Sequence, residues 1–115
     1  MIARDDLKAK LLAWHAGEAD ELATWQWAEQ AKKDYANNPP QDELVRDIVD
    51  LLAALPYEMI VSDDIEVFLD ALANPSDETD LSVNLVWNHM DGFDPDSRRM
   101  EYNQHPFYGE FAHAD

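Results

Sequence analysis

The stretch LVRDIVDLLAAL, residues 44–55, constrains the fold of this chain more than any other part of the sequence. Its apolar residues recur at the three- and four-residue spacing that is typical of one helix face. Further small and apolar residues widen that face until only a strip through Arg46, Asp47 and Asp50 remains polar. Such a helix must be covered on several sides. The sequence therefore predicts an all-α fold, a compact bundle of five to six helices around a central apolar helix at about residues 41–55.

Capping and turn signals divide the rest of the chain. Gly17 ends a first helix and makes the first two helices an antiparallel hairpin, two prolines separate the second helix from the central one, and Asp94-Pro95 starts the last helix. The remaining helices are predicted over about residues 4–16, 18–36, 62–74, 76–90 and 95–104. Residues 56–61 fit either a buried connector or an extended piece, and both interpretations stay open.

The composition indicates a single helical domain over residues 1–115, with the aromatic C-terminal segment 92–115 packing back on the core. The chain contains no cysteine, which excludes disulfides and thiolate metal sites. Its start, MIARDDLKAK, is too charged for a signal peptide, and no apolar run approaches the length of a membrane span. We therefore expect a cytoplasmic protein.

The charge is the strongest compositional signal. The chain has 25 Asp and Glu against 8 Lys and Arg, a net charge of −17, and residues 34–96 contain 16 carboxylates and one base, Arg46. Two interpretations of this charge stay open: the acidic side chains supply solubility alone, or they steer a basic partner toward the surface. Direct binding to nucleic acid or to an anionic membrane is disfavoured, because phosphates are bound by clusters of Lys and Arg. The leading hypothesis is a non-catalytic protein that binds a basic protein partner.

The surface assigned to that partner is an acidic belt, with Trp27 as a candidate apolar anchor because exposed tryptophans are enriched at binding hot spots. The alternative for Trp27 is a partly buried residue at the edge of the core. The other tryptophans, Trp14, Trp25 and Trp87, lie on apolar stripes and are predicted to be in the core. The belt consists of Asp42, Glu43, Asp47, Asp50, Asp63, Asp64, Glu66 and Asp70.

No catalytic residue, cofactor or metal site is predicted. The four histidines, His15, His89, His105 and His113, do not stand at metal-ligand spacing from one another. Paired carboxylates such as Asp63-Asp64 fall at predicted helix starts, where the helix dipole favours negative charge. The two bases Arg98 and Arg99 are expected to pair with Asp94 or Asp96 and to fix the C-terminal segment.

Two other classes of function remain as alternatives. A DNA mimic would carry carboxylates at about phosphate spacing on an extended surface and would occupy a nucleic-acid-binding protein. A small enzyme would hold an Asp or Glu of raised pKa in a concave pocket beside His89 or His105.

Three segments carry a resemblance to known proteins: LLAWHAGEADELATWQWAEQ, SDDIEVFLDAL and RRMEYNQHPFYGEF. The pattern of WAE at Trp27, then Asp64-Ile65 with Phe68-Leu69, then Arg98 with a PFY ending, resembles a small uncharacterised bacterial helical family. That likeness spans nearly the whole chain and implies no particular activity. In size, charge and helix content the chain is also similar to colicin-type immunity proteins. This likeness implies binding to a basic nuclease toxin as an inhibitor.

Overall fold

The computed structural model describes residues 3–35, 37 and 41–112. Within these residues the chain is helical and contains no strand, which confirms the predicted all-α bundle. Short 3-10 turns, Ser62–Asp64 and Ser76–Glu78, lead directly into α4 and α5. The helices are α1 (Arg4–His15), α2 (Glu21–Asp34), α3 (Glu43–Ala53), α4 (Ile65–Ala73), α5 (Thr79–Gly92), α6 (Pro95–Glu101) and a short α7 (Gly109–Ala112).

The central helix α3 is covered by α1, α2 and α5. Six of its eleven residues are buried, as the width of its apolar face predicts. Partners from every neighbouring element complete the core, including Leu7 and Leu11 of α1, Phe68 of α4 and Val86 of α5. Burying this continuous apolar surface is the main favourable contribution to folding.

Most helix ends follow local sequence signals, but four helix starts differ from the prediction. The α-helices α4 and α5 begin three residues later than predicted, after the 3-10 turns. Gly17 adopts the left-handed conformation, with φ +80°, directly after α1, and Asp94 with Pro95 begins α6. However, α2 begins at Glu21 rather than near residue 18, because the Asp20 side chain accepts the Ala23 N–H. In the same way α3 begins at Glu43 rather than near residue 41.

At that start of α3, the Asp42 side chain accepts the Leu44 N–H. The two prolines predicted to precede the central helix, the end of the second predicted helix at residue 36, and residues 113–115 with His113 lie outside the described residues. The helix predicted to end near residue 104 ends at Glu101 instead.

The connector between α3 and α4 is a turn that buries four of the six residues 56–61 and exposes Tyr57 and Glu58, which favours the interpretation as a buried connector. Met59, Ile60 and Val61 are all buried, and Met59 holds a left-handed backbone conformation, with φ 53°. The Met59 carbonyl accepts a hydrogen bond from Arg98 Nη1 at 3.0 Å. The strained turn is therefore tied to α6.

The C-terminal residues contact this turn and the start of α2. The buried Tyr108 hydroxyl donates to the Ile60 carbonyl oxygen, and the Phe107 ring meets the Trp25 ring edge-on, with centroids 5.8 Å apart. These contacts attach the last described turns of the chain to its middle. None of the helices in the described ranges is both long and apolar enough to cross a membrane.

Candidate functional site

A buried charge cluster lies where α4, α5 and α6 meet. The Asp64 side chain is fully buried. Its Oδ2 accepts Arg98 Nη1 at 2.6 Å and its Oδ1 accepts Arg98 Nη2 at 2.9 Å, which is the two-point geometry of a strong arginine–carboxylate pair. The Arg98 side chain is itself only 15% exposed. The pair therefore lies almost entirely out of water.

Two more groups complete the shell of the Asp64 carboxylate. His89 Nε2 lies 2.6 Å from Oδ1, and the Val61 backbone N–H donates to Oδ2 at 2.9 Å. The Arg98 guanidinium also lies over the Phe93 ring, with its central carbon 3.6 Å from the ring centroid. Both oxygens of the Asp64 carboxylate thus have hydrogen-bond partners, and the guanidinium of Arg98 is covered by an aromatic ring. A buried ion pair requires such contacts to offset the loss of water.

The electrostatics of this cluster do not suit a general acid. Burial alone raises the pKa of Asp64, but the hydrogen bonds from Arg98, His89 and Val61 outweigh burial and hold that pKa below its ordinary value. The enzyme alternative predicts a carboxyl of raised pKa beside His89, and the carboxyl found there is shifted in the opposite direction. The arrangement holds an ionised carboxylate in place.

The other candidate histidine, His105, stabilises a turn. Its Nδ1 lies 3.0 Å from the Phe107 N–H and 3.3 Å from the Tyr108 N–H, and accepts from both. Its Nε2 lies 3.9 Å from Glu21 Oε1. His105 thus joins the turn before α7 to the first turn of α2. Among the described residues, no group of three or more His, Asp or Glu side chains could hold a metal ion.

The sequence-based placement of Asp64 and Arg98 is wrong. Asp64 was assigned to the exposed acidic belt, and it is inaccessible to a partner because it is buried beneath α5 and α6. Arg98 was expected to pair with Asp94 or Asp96, whereas its partner is Asp64. The expectation holds for its neighbour Arg99, which lies 2.7 Å from Asp96 Oδ1.

Asp42 also has a structural role. Its Oδ2 accepts Arg4 Nε at 2.5 Å, while its Oδ1 caps α3. The same guanidinium donates to the Asn74 carbonyl at 3.0 Å. Burial raises the pKa of Asp42. The hydrogen bond and the charge of Arg4, with the backbone hydrogen bonds at the start of α3, outweigh this effect, so the pKa lies below its ordinary value. Asp42 links the starts of α1 and α3 with the end of α4.

The belt residues on α3 are partly neutralised. Arg46 lies between two of them, 3.9 Å from Glu43 Oε1 and 3.9 Å from Asp47 Oδ1. Lys32 Nζ from α2 lies 3.8 Å from Asp50 Oδ1. Two cations therefore face three carboxylates, which leaves a net charge of only −1 among these five residues.

The belt residues along α4 differ. Asp63, Glu66 and Asp70 are all exposed, and their spacing places Glu66 and Asp70 one turn apart on the same face. No Lys or Arg of the described residues lies within ion-pair distance of these three carboxylates. We call them the α4 acidic stripe. It is the part of the predicted belt that presents uncompensated charge to solvent.

The structure decides between the two interpretations of Trp27 in favour of a partly buried residue at the edge of the core, and it contradicts the prediction for Trp87. Trp87 is 41% exposed, and its Nε1 donates to Asp47 Oδ2 at 3.2 Å. Trp27 is half-buried against the core, and Lys10 Nζ lies 5.8 Å from its ring centroid. Trp14 is buried as predicted, and Trp25 is half-buried. The prediction for Trp87 was wrong because Val86, one residue earlier, takes the buried position on α5.

No role for these residues can be transferred from a known relative. No family model, no curated protein and no solved structure matches this chain.

Proposed function

We propose that this protein is a non-catalytic inhibitor of the immunity type, which binds a basic protein partner through the α4 acidic stripe. The single observation that carries the proposal is the stripe itself, three exposed carboxylates without a described cation in reach, on a chain of net charge −17. Like charges held together on a folded surface cost stability. The positive charges of a basic partner would relieve this repulsion and would be attracted to the stripe.

Charge complementarity of this kind acts mainly on specificity and on the rate of association. A surface of one sign attracts an oppositely charged partner over about a Debye length, about 8 Å at physiological salt. The proposed contact set therefore contains Asp63, Glu66 and Asp70. It leaves out Asp64 and Asp42, whose carboxylates are bound to Arg98 and Arg4.

The remaining predicted contacts are expected to contribute less to binding. Glu43, Asp47 and Asp50 are partly neutralised by Arg46 and Lys32, so they contribute less net attraction. Trp27 packs against the core, which leaves less of its ring for a partner.

The test uses a partner first captured from the source cell and then purified. Its Kd is measured by calorimetry at low and at physiological salt, with the wild-type chain and with the variant Asp63→Asn/Glu66→Gln/Asp70→Asn. We expect the Kd to rise steeply with salt. In the variant it should rise about tenfold, because three exposed ion pairs at roughly 0.5 kcal/mol each amount to about 1.5 kcal/mol, and about 1.4 kcal/mol corresponds to a factor of ten.

The matched control is Asp77→Asn/Asp91→Asn/Glu101→Gln, which removes the same charge from three other exposed positions. It should change the Kd much less than the stripe variant does. Equal effects of the two variants, or a Kd that does not depend on salt, would contradict the proposal.

A further inference from the structure

Three depressions that share lining residues lie at the end of the bundle where α1 ends and α2 and α4 begin. The first, about 370 Å³, is lined by Asp63 and Glu66 with His15 and Ser62. The second, about 410 Å³, shares His15 and Ser62 with the first. The third, about 280 Å³, shares Asp20 with the second. Because neighbouring depressions have lining residues in common, we treat them as a single surface and call it the polar-to-aromatic groove.

The charge of this groove has one sign. Its described lining contains no Lys or Arg. Two of its carboxylates also belong to the α4 acidic stripe, so the groove continues that stripe around the end of α1. The carboxylates of the lining are Asp20, Glu21, Asp63, Glu66 and Glu110.

The far end of the groove is apolar. Leu22 is 44% exposed, and it lies beside the edge-to-face pair of Trp25 and Phe107 and next to the exposed Pro106. The position of the Trp25 ring is fixed, because its Nε1 donates to the Ala53 carbonyl at 2.8 Å. Rigid aromatic surface of this kind binds apolar side chains with little loss of conformational entropy.

We infer that the polar-to-aromatic groove binds an extended basic segment of the partner, with Lys or Arg side chains along the carboxylates and one aliphatic side chain against Leu22 and Trp25. The inference deepens the proposed function and rests on it. A row of depressions, each large enough for at least one side chain, suits an extended segment, because alternate side chains of such a segment point to the same side. The groove supplies both parts of the recognition, charge along most of its length and apolar contact at one end.

The first experiment needs no partner. The probe is a fluorescein-labelled oligoarginine peptide with one terminal leucine, made with the leucine at either end, and a matched peptide with serine in its place. Anisotropy is measured against the wild-type chain and the Glu21→Gln/Glu110→Gln variant, with Asp77→Asn/Asp91→Asn as the control of equal charge. We expect the groove variant to weaken binding at least fivefold and the control to weaken it less than twofold.

The apolar end is tested with the Leu22→Gln variant, which keeps a good helix former at an exposed position. The leucine peptide should bind the wild-type chain more than threefold tighter than the serine peptide, and this preference should disappear in Leu22→Gln. Equal binding of the two peptides, or equal weakening by groove and control variants, would overturn the inference.

Measurements with the purified partner separate this inference from the proposed function. The variant Asp70→Asn removes a stripe carboxylate outside the groove lining, whereas Glu21→Gln/Glu110→Gln removes groove carboxylates outside the stripe. If only Asp70→Asn weakens the partner, the proposed function stands and the groove inference fails. If the partner binds without salt dependence while the peptides still distinguish the groove variants, the proposed function fails and the groove remains a binding site for basic segments.

Discussion

Arg98 in α6 binds both carboxylate oxygens of Asp64, at 2.6 and 2.9 Å, across 34 residues of sequence. The same guanidinium donates to the carbonyl of Met59 in the strained turn before α4. The Arg98 side chain thus joins α6 both to the turn before α4 and to the buried Asp64 carboxylate. The pair is a structural element of the core, even though both of its members are charged.

Removing Arg98 should strongly destabilise the fold. In Arg98→Ala the Asp64 charge would stay buried without its main partner, and breaking such a pair on one side costs about 3–5 kcal/mol. Urea unfolding followed by circular dichroism measures the loss. The matched control is Arg99→Ala, because Arg99 pairs with Asp96, whose side chain is 85% exposed. That exposed pair is worth about 0–1 kcal/mol. A loss in Arg98→Ala no larger than in Arg99→Ala would contradict this role.

The lowered pKa of Asp64 predicts how its contribution depends on pH. A carboxyl whose pKa is lower in the folded than in the unfolded state stabilises the fold above the unfolded pKa, and this stabilisation is lost as pH falls through the folded pKa. We therefore expect the difference in unfolding free energy between the wild-type chain and Asp64→Asn to be full at neutral pH. It should shrink as pH falls below the ordinary carboxyl value of 3.8. Unfolding curves collected from pH 7 downward test this, and a difference that stays constant would refute it.

Two buried tyrosine hydroxyls should respond in different ways to removal. The Tyr108 hydroxyl donates to the Ile60 carbonyl, so Tyr108→Phe leaves a buried carbonyl without its donor and should cost about 1–2 kcal/mol. The Tyr35 hydroxyl is buried and has no hydrogen-bond partner among the described residues. Tyr35→Phe should therefore leave the stability unchanged or raise it. The two variants remove the same atom, so equal losses in thermal or urea unfolding would show that the hydrogen bond contributes nothing.

The turn after α1 should be most stable with glycine at position 17. A Cβ there meets nothing within 4 Å, so the space is open, but φ is +80°. We expect Gly17→Ala to cost about 1–2 kcal/mol of unfolding free energy through backbone strain alone. Gly92 also has open space where a Cβ would lie. It is in the last turn of α5, and its φ is not in the left-handed region. Gly92→Ala is therefore the control and should be neutral or stabilising by up to about 1 kcal/mol. Equal behaviour of the two variants in urea unfolding would contradict the argument.

The sequence by itself determined the helical class, the central helix and several helix ends. These features depend on residues close together in the chain: the apolar spacing of α3, the Gly17 turn, and the Asp94 cap followed by Pro95. Local physics is enough for them, because a helix face, a left-handed turn and a cap each involve only a few neighbouring residues.

Only the tertiary structure decided which charges and rings reach solvent. Asp63 and Asp64 are neighbours in the chain, yet one is exposed and the other is buried beneath Arg98, because the turn before α4 points their side chains in different directions. Trp87 lies at the edge of an apolar stripe, and its exposure depends on how α5 is rotated against α3. The pairing of charges depends on contacts between helices that are distant in sequence, and no local pattern encodes it.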